Sequence, residues 1–231
     1  MVDLKLEDAA ALTAGGTMWS SVAVPYADIV AFAMSDGPMG IASGKVDERD
    51  IARLSPCATL LGASWDRDLV RRIGALVGQE AVEREVDAVL APNINLARSP
   101  LAGRAFEYFS EDPLLTGILG GCWIAGLQST GTASVAKHLV CNDSETARDT
   151  VDIQIDERTL REIYLLPFEY AADAGCFGML AAYNRVNGDY CAEQYHVITE
   201  IVKGDWDYRG AIMSDWFGTH STAPTLNAGL D

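Results

Sequence analysis

The sequence is poor in the features that mark membrane, nucleic-acid-binding and disordered proteins. No apolar run reaches the roughly 18–20 residues of a membrane span. In the 231-residue chain, 17 Lys and Arg residues stand against 33 Asp and Glu residues, a net charge of −16. Nucleic acid and anionic membrane surfaces would be repelled by that charge, so neither is expected as a partner. The 49% hydrophobic content excludes disorder and predicts a globular chain with a sizeable core.

Cysteine, histidine and nucleotide-binding motifs are also too sparse to predict a disulfide framework or a cofactor site. The five cysteines are odd in number and contain no C-x-x-C pair, and the three histidines lack metal-ligand spacing. There is no G-x-S-x-G elbow, no P-loop and no strand-linked G-x-G-x-x-G. We therefore expect no cofactor. Residues 1–16 are acidic where a signal peptide is basic, which predicts a cytoplasmic location for the chain as given.

Short apolar runs alternate along the chain with longer segments of helical apolar spacing, which predicts parallel βαβ units and an α/β fold. The predicted strands are Val30–Ser35, Ala58–Gly62, Ala88–Ala91, Ala133–Ala136, Met179–Ala182 and Ala211–Ser214. Val151–Ile155 is either a further strand or a surface hairpin, so the count is about six to seven. The predicted helices are Trp65–Val86, Pro113–Ser129, Glu157–Ala174 and Ala192–Lys203. We expect the third to kink at Pro167. A doubly wound sheet and a barrel both fit this count.

The positions of the polar residues favour the barrel. Five of the apolar runs end in a polar or reactive cluster, namely Asp36-Gly37-Pro38, Asn93-Ile94-Asn95, Lys137-His138, Tyr183-Asn184 and Asp215-Trp216. Polar groups collected at the carboxyl ends of several strands are typical of the active face of a TIM-type (β/α)8 barrel. Any one of these clusters alone is equally typical of a turn that ends a strand.

The chemistry of these clusters is suited to a sugar. Asp215 stands beside Trp216, and a carboxylate next to an aromatic face can capture an oxocarbenium-like carbon while the ring stacks on the pyranose; capping of the following helix is the alternative. Asp36 is a candidate ligand for sugar hydroxyls or a simple Asp-Gly turn. Lys137 at the end of a buried strand is costly unless paired or functional, and with His138 it can grip vicinal hydroxyls.

Arg104 and Tyr183 are the remaining candidates from the residues themselves. Arg104 lies among aromatic and acidic residues, and pairing with Glu107 or Glu111 is its structural alternative. Tyr183 either donates to a nucleophilic carboxylate or is a core tyrosine with a satisfied hydroxyl. Lys137 also leaves open a barrel aldolase that works through a Schiff base.

Several long motifs occur in order over nearly the whole chain. They are SDGPMGI, LGASWDRDLV, LAPNINLARSPLAGRAFEYFSEDPLLTG, AKHLVCNDSETAR, DERTLREIYLLPFEYA, AAYNRVNG and IMSDWFGTHST. At this spacing the sequence closely resembles glycoside hydrolase family 3, in particular its β-glucosidase branch. The resemblance implies that residues 1–231 form the N-terminal barrel domain of that family, incomplete and without the C-terminal α/β domain.

The resemblance also implies a function and a set of site residues. It implies retaining hydrolysis of β-glucosides, with Asp215 of the SDW motif as the nucleophile. Positions that line or support the family's sugar-binding subsite are matched by Asp36, Arg104, Lys137, His138, Tyr183, Trp216 and, as a brace, Arg98.

The proton donor is where the sequence departs from the family. In most members a Glu on the C-terminal domain is the general acid/base, and another branch uses an Asp-His pair after a KHFPGHG-type motif; this chain reads KHLVCNDSE there. We therefore expect the acid/base to lie outside this chain, with Glu107, Glu111 and Glu145 lacking a motif for that role. The partners expected are a β-glucoside and either a second copy of the chain or a complementing chain that carries the C-terminal domain. A catalytically silent sugar-binding or assembly subunit is the alternative.

Overall fold

The computed structural model describes residues 3–42 and 51–231. Its strands are β1 (Met34–Asp36), β2 (Ala88–Leu90), β3 (Ala133–Leu139), β4 (Asp152–Ile153), β5 (Gly178–Ala181), β6 (Arg185–Val186), β7 (Asp189–Tyr190) and β8 (Ala211–Ser214). Five of them form a parallel sheet in the order β1-β2-β3-β5-β8, and β4, β6 and β7 form a separate small sheet. Within the described residues β1 and β8 are the edges of the main sheet, which stays open.

Helices connect the strands of the main sheet. They are α1 (Leu6–Leu12), α2 (Ala58–Ser64), α3 (Arg67–Glu83), α4 (Pro113–Gln128), α5 (Glu157–Thr159), α6 (Leu166–Asp173) and α7 (Ala223–Asn227). Wider π-helical turns occupy Leu160–Tyr164 and His196–Asp205, and short 3₁₀ turns occupy Pro25–Ala27, Ala105–Glu107 and Cys191–Glu193. Across the described ranges no helix is both long enough and apolar enough to cross a membrane.

The predicted alternation of parallel strands and helices is confirmed, but one of the predicted strands is wrong, and the segment left open as a strand or a hairpin lies outside the main sheet. Ala58–Gly62 lies in α2; a short run rich in Ala and Leu has the same periodicity in a helix as in a strand, and these residues favour the helix. Of Val151–Ile155 only β4 is extended, and it pairs with β6 away from the main sheet. The main sheet therefore has five strands instead of six or seven.

Two of the predicted helices, α3 and α4, begin where an aspartate side chain satisfies the first backbone N–H groups. Asp66 accepts a hydrogen bond from the Leu69 amide at 2.9 Å and caps α3. Asp112 caps α4 in the same way, with Pro113 in the first turn. The predicted kink is present as the π-helical turn that precedes Pro167, which lies in the first turn of α6.

The main hydrophobic core lies between the sheet and the helices that cover one of its faces. Trp123 on α4 and Phe168 on α6 are among its fully buried side chains. Helices α3 and α4 approach each other closely because glycines face the neighbouring backbone: a Cβ at Gly74 would lie 2.2 Å from the Trp123 carbonyl oxygen. This packing fixes the strands, and with them the side chains on the opposite face of the sheet.

Candidate active site

The face of the sheet opposite the helices carries an apolar layer followed by a charged layer. Side chains two residues apart in a strand share a face. On this face a small apolar cluster contains or packs against one residue of each of three strands, and the residue two positions later, nearer the carboxyl end, is charged. The pairs are Met34 and Asp36 at β1, Val135 and Lys137 in β3, and Met213 and Asp215 at β8. The parallel register brings these charged ends to one edge of the sheet.

His138 joins this edge although regular alternation would place it on the other face of β3. The register between β3 and β5 shifts between Lys137 and Leu139, and an irregularity of this kind re-aims a side chain. His138 is consequently buried with its Nε2 atom 3.6 Å from Oδ2 of Asp215. Two consecutive residues of one strand thus contribute to the same site.

Asp36 and Lys137 form an ion pair across the sheet. The Lys137 Nζ donates to Oδ1 of Asp36 at 2.5 Å; the lysine side chain is 2% exposed and the aspartate side chain 45% exposed. Burial raises the pKa of Asp36, but the Lys137 ammonium and the Gly37 N–H outweigh it and hold the pKa below its ordinary value. Asp36 also accepts from Gly37 at 2.9 Å, so the Asp-Gly turn and the ion pair coexist.

Arg104 links the cationic side of the site to a buried glutamate. Its Nη2 donates to Oε2 of Glu107 at 2.8 Å, and its Nη1 lies 2.9 Å from His138 Nε2 and 3.9 Å from Glu145 Oε1. Of the two partners considered from the sequence, Glu107 is therefore the one found, and Glu111 is exposed. The pairing does not remove Arg104 from the site, because the same guanidinium contacts His138.

His138 is uncharged in this environment. Burial lowers its pKa well below the ordinary value, and the positive charges of Arg104, Lys137 and Arg148 lower it further. Its Nδ1 lies 3.2 Å from Oδ1 of Asn95. A neutral imidazole has one donor and one acceptor nitrogen, so the neighbours decide which nitrogen can receive a hydrogen bond from a ligand.

Asp215 is the buried carboxylate at the centre of the cluster. Its side chain is 11% exposed, and its Oδ1 accepts from the Trp216 N–H at 2.8 Å. Burial raises the pKa of Asp215, while the Trp216 N–H, a hydrogen bond from the Tyr183 hydroxyl and the charges of Lys137 and Arg104 act in the opposite direction. Burial and the negative charge of Asp215 raise the pKa of Tyr183, so its hydroxyl keeps its proton and donates.

Trp216 and Arg98 lie at the margin of this cluster. The Trp216 indole donates from Nε1 to the Met18 carbonyl at 3.0 Å and packs on Trp19 with ring centres 5.0 Å apart. Arg98 is exposed and lies over the Tyr164 ring at 5.7 Å. Of the eight residues singled out from the sequence, Arg98 is the one that the structure does not bring into contact with the others.

Further polar residues lie around the site beyond the eight to which the sequence reasoning gave a role there. Asn95, Glu145 and Arg148 lie next to it: Glu145 Oε2 accepts from Arg148 Nη1 at 2.7 Å, and Arg148 lies 4.7 Å from the Tyr183 ring centre. Their one sequence signal is their place just after β2 and β3. Across residues 3–42 and 51–231, no group of three or more His, Cys, Asp or Glu side chains is placed to hold a metal ion.

A parallel α/β sheet with carboxylates, cations and an imidazole at its carboxyl edge defines an enzyme-type barrel domain suited to polyhydroxylated ligands. The family model described as the glycosyl hydrolase family 3 N terminal domain matches residues 40–228. The chain therefore belongs to glycoside hydrolase family 3, as its motifs indicate.

Curated relatives and solved structures agree with this assignment. A probable β-glucosidase I of Neosartorya fischeri is 45% identical over 99% of the chain, and a β-glucosidase of Rhizobium radiobacter is 42% identical over 99%. The structure of β-glucosidase 3B from Thermotoga neapolitana in complex with glucose superposes with a TM-score of 0.93 over 98% of the chain, at 34% identity. A β-glucosidase from Kluyveromyces marxianus in complex with glucose gives a TM-score of 0.96 over 99%, at 36% identity. The fold is thus part of the family's TIM-type barrel.

The chain is much shorter than the proteins it resembles. It spans 27% of the N. fischeri relative and 28% of the R. radiobacter relative. In the two solved structures it covers 34% and 28% of the chain.

Proposed function

We propose that this chain carries the sugar-binding subsite and the nucleophile of a retaining β-glucosidase, with Asp215 as the nucleophile. The observation that carries the proposal is the burial of Asp215 at the end of β8 among the donors Tyr183 and the Trp216 N–H. Nucleophilic attack needs an ionised carboxylate, and these donors favour that form although burial opposes it.

The neighbouring residues supply the donors and acceptors that a pyranose needs. Each sugar hydroxyl can both donate and accept; Asp36 accepts, Lys137 and Arg104 donate, and His138 lies beside them in contact with Arg104. The Asp36 side chain is 45% exposed, so a ligand can reach it from solvent. Glucose is the proposed sugar because the relatives are β-glucosidases and two of the solved structures contain glucose.

The general acid/base is proposed to come from another domain or chain. Glu107 is held by Arg104 and by Asn93, and Glu145 is held by Arg148. Because these contacts occupy both carboxylates, neither is free to turn towards the leaving group of a sugar bound at Asp215. Without a general acid, about 10²–10⁴-fold in rate is lost for substrates whose leaving group needs a proton. Substrates with good leaving groups lose least.

The test is covalent labelling with 2,4-dinitrophenyl 2-deoxy-2-fluoro-β-glucoside. Its leaving group, dinitrophenolate, needs no acid. Intact mass spectrometry should show one glycosyl adduct, and peptide mapping should place it on Asp215. Asp215→Asn should abolish the adduct. Asp207→Asn, which alters an exposed aspartate paired with Arg209, is the matched control and should label like the wild type. An absent adduct in the wild type, or an adduct that persists in Asp215→Asn, contradicts the proposal.

The alternatives from the sequence have less support. In an aldolase Lys137 would attack a carbonyl as the free amine, whereas its Nζ is held against Asp36 Oδ1 at 2.5 Å. A silent sugar-binding or assembly subunit would bind glucose in calorimetry and give no adduct in the labelling experiment. The cytoplasmic location and a second copy or complementing chain as partner stay predictions.

A further inference from the structure

Five polar residues around the site form a closed ring of hydrogen bonds. Arg104 contacts both Glu107 and His138, Glu107 accepts from Asn93 Nδ2 at 2.9 Å, and the Asn95 backbone N–H donates to Asn93 Oδ1 at 3.1 Å. The contact between Asn95 and His138 closes the ring. Asn93 is fully buried and Asn95 is 3% exposed. The proposed mechanism gives no role to Asn93 and Asn95, the two polar residues that follow β2.

Asn95 holds His138 through both ends of its side-chain amide. Its Nδ2 donates to the His138 carbonyl oxygen at 2.9 Å, and its Oδ1 accepts from the His138 backbone N–H at 2.9 Å. The donor and the acceptor fix the orientation of the amide, since the reversed amide would set like groups against each other. The oxygen therefore also faces the imidazole Nδ1 at 3.2 Å.

An amide oxygen accepts and does not donate, so Nδ1 of His138 must carry the proton. In a neutral imidazole Nε2 then carries the lone pair. The Arg104 guanidinium, a donor only, lies 2.9 Å from that Nε2 and fits this tautomer. The opposite tautomer would set N–H against N–H at Arg104 and leave Nδ1 without a donor.

We propose that Asn95 is a positioning residue that holds His138 as the neutral, Nδ1-protonated tautomer, so that Nε2 accepts the hydrogen bond from Arg104 and fixes that guanidinium beside the proposed sugar-binding cluster. The ligand in this inference rests on the proposed function; the tautomer does not. Among the described residues, the positive charges of Arg104, Lys137 and Arg148 act on the ring, and Asp215 Oδ2 lies 3.6 Å from its Nε2. A charged imidazole would be repelled by the first three and would pair with Asp215, which would weaken it as a nucleophile.

The tautomer can be read directly from the ring nitrogens by long-range ¹H–¹⁵N NMR on the ligand-free, full-length chain. The sequence has three histidines, so His196→Gln and His220→Gln identify the His138 signals by elimination. We expect the wild type to show protonated Nδ1 and unprotonated Nε2 throughout the stable pH range. A wild type with protonated Nε2 overturns the inference without any variant.

The variants separate positioning from a general effect of packing. Asn95→Ala should yield a mixed or Nε2-protonated tautomer and weaken glucose binding about tenfold, the equivalent of one hydrogen bond. Asn95→Asp keeps the acceptor but adds a charge, so a charged imidazole should appear on acidification, which the wild type lacks. Asn184→Ala, which removes another buried amide without a bond to His138, is the control and should leave the tautomer unchanged.

The outcomes distinguish the two proposals. Unchanged ring nitrogens in Asn95→Ala overturn the role of Asn95, whatever the protein binds. A wild type that shows the expected tautomer but neither binds glucose nor forms the Asp215 adduct overturns the proposed function and leaves the role of Asn95 in the tautomer supported. Wild-type glucose affinity in Asn95→Ala overturns the link from tautomer to sugar binding.

Discussion

The ion pair between Asp36 and Lys137 predicts an unequal response to the removal of its two members. The ammonium is buried, whereas the carboxylate is half in solvent. Asp36→Asn leaves a buried charge without its partner, while Lys137→Met leaves a carboxylate that water can solvate. We therefore expect Asp36→Asn to destabilise the chain more than Lys137→Met does.

The magnitude follows from the same difference in exposure. Removal of one partner of a fully buried pair costs about 3–5 kcal/mol, and an exposed pair is worth about 0–1 kcal/mol. Because Asp36 is partly solvated, we expect Asp36→Asn to lower the free energy of unfolding by about 2 kcal/mol. Lys137→Met should cost less than about 1 kcal/mol, since the methionine keeps most of the buried volume.

Urea unfolding followed by circular dichroism measures both changes, with the Asp36→Asn/Lys137→Met double variant closing the cycle. The double variant should be close to Lys137→Met alone, because the buried charge that makes Asp36→Asn costly is gone. Lys203→Met, which removes a partly exposed lysine paired with Asp231, is the control for loss of a charge. A Lys137→Met variant at least as unstable as Asp36→Asn would refute the burial argument.

The pH dependence gives an independent check of sign. Because the folded-state pKa of Asp36 lies below its ordinary value, its stabilisation is complete above the unfolded pKa of about 3.9 and is lost as pH falls through the folded value. The gap in stability between the wild type and Asp36→Asn should therefore be full at about pH 7 and shrink below about pH 4. A gap that is unchanged in acid contradicts the assignment of the effect to this ion pair.

Three further predictions follow from the pKa shifts. Tyr183→Phe removes a donor to Asp215, so the acid limb of the labelling rate should move to higher pH and the rate near neutral pH should fall about tenfold, measured by intact mass against time. Asp215→Asn should raise the free energy of unfolding by about 0.5–2 kcal/mol, since burial makes the ionised carboxylate costly. The urea midpoint should rise accordingly, and an unchanged or lower midpoint contradicts this. His196 donates to Glu200 and Glu157, which raise its pKa; His196→Gln should cost under about 1 kcal/mol below pH 6.5, a loss that disappears as pH rises through the folded pKa, and NMR titration checks the shift.

Much of the fold could be predicted because the strand and helix signals are local. The apolar spacing over Trp65–Val86 and Pro113–Ser129 predicts two helices, which the structure contains as α3 and α4. Ala58–Gly62 was wrongly predicted as a strand, although its Ala and Leu residues favour a helix; in the structure the Thr59 hydroxyl also donates to the Ala105 and Tyr108 carbonyls. A five-residue apolar run has no periodicity long enough to separate helix from strand.

The location of the site could be predicted for a similar reason, and its internal wiring could not. Parallel strands place their carboxyl ends together, so residues that follow several buried runs must meet. The choice of Glu107 over Glu111 as the partner of Arg104, and the hold of Asn95 on His138, depend on loop paths between strands. The inward turn of His138 depends on a register shift that no local pattern encodes.

The environments of the two site aspartates differ in a way that matches two different roles. Asp36 has a direct cationic partner, which holds its pKa low and suits a permanent acceptor of hydrogen bonds. Asp215 instead has the uncharged imidazole of His138 at 3.6 Å. Burial raises the pKa of Asp215. Carboxylates whose pKa values are pushed apart take different parts in catalysis. A nucleophile must give up its contacts to form a bond, and Asp215 is held by neutral donors that are cheaper to leave than an ion pair.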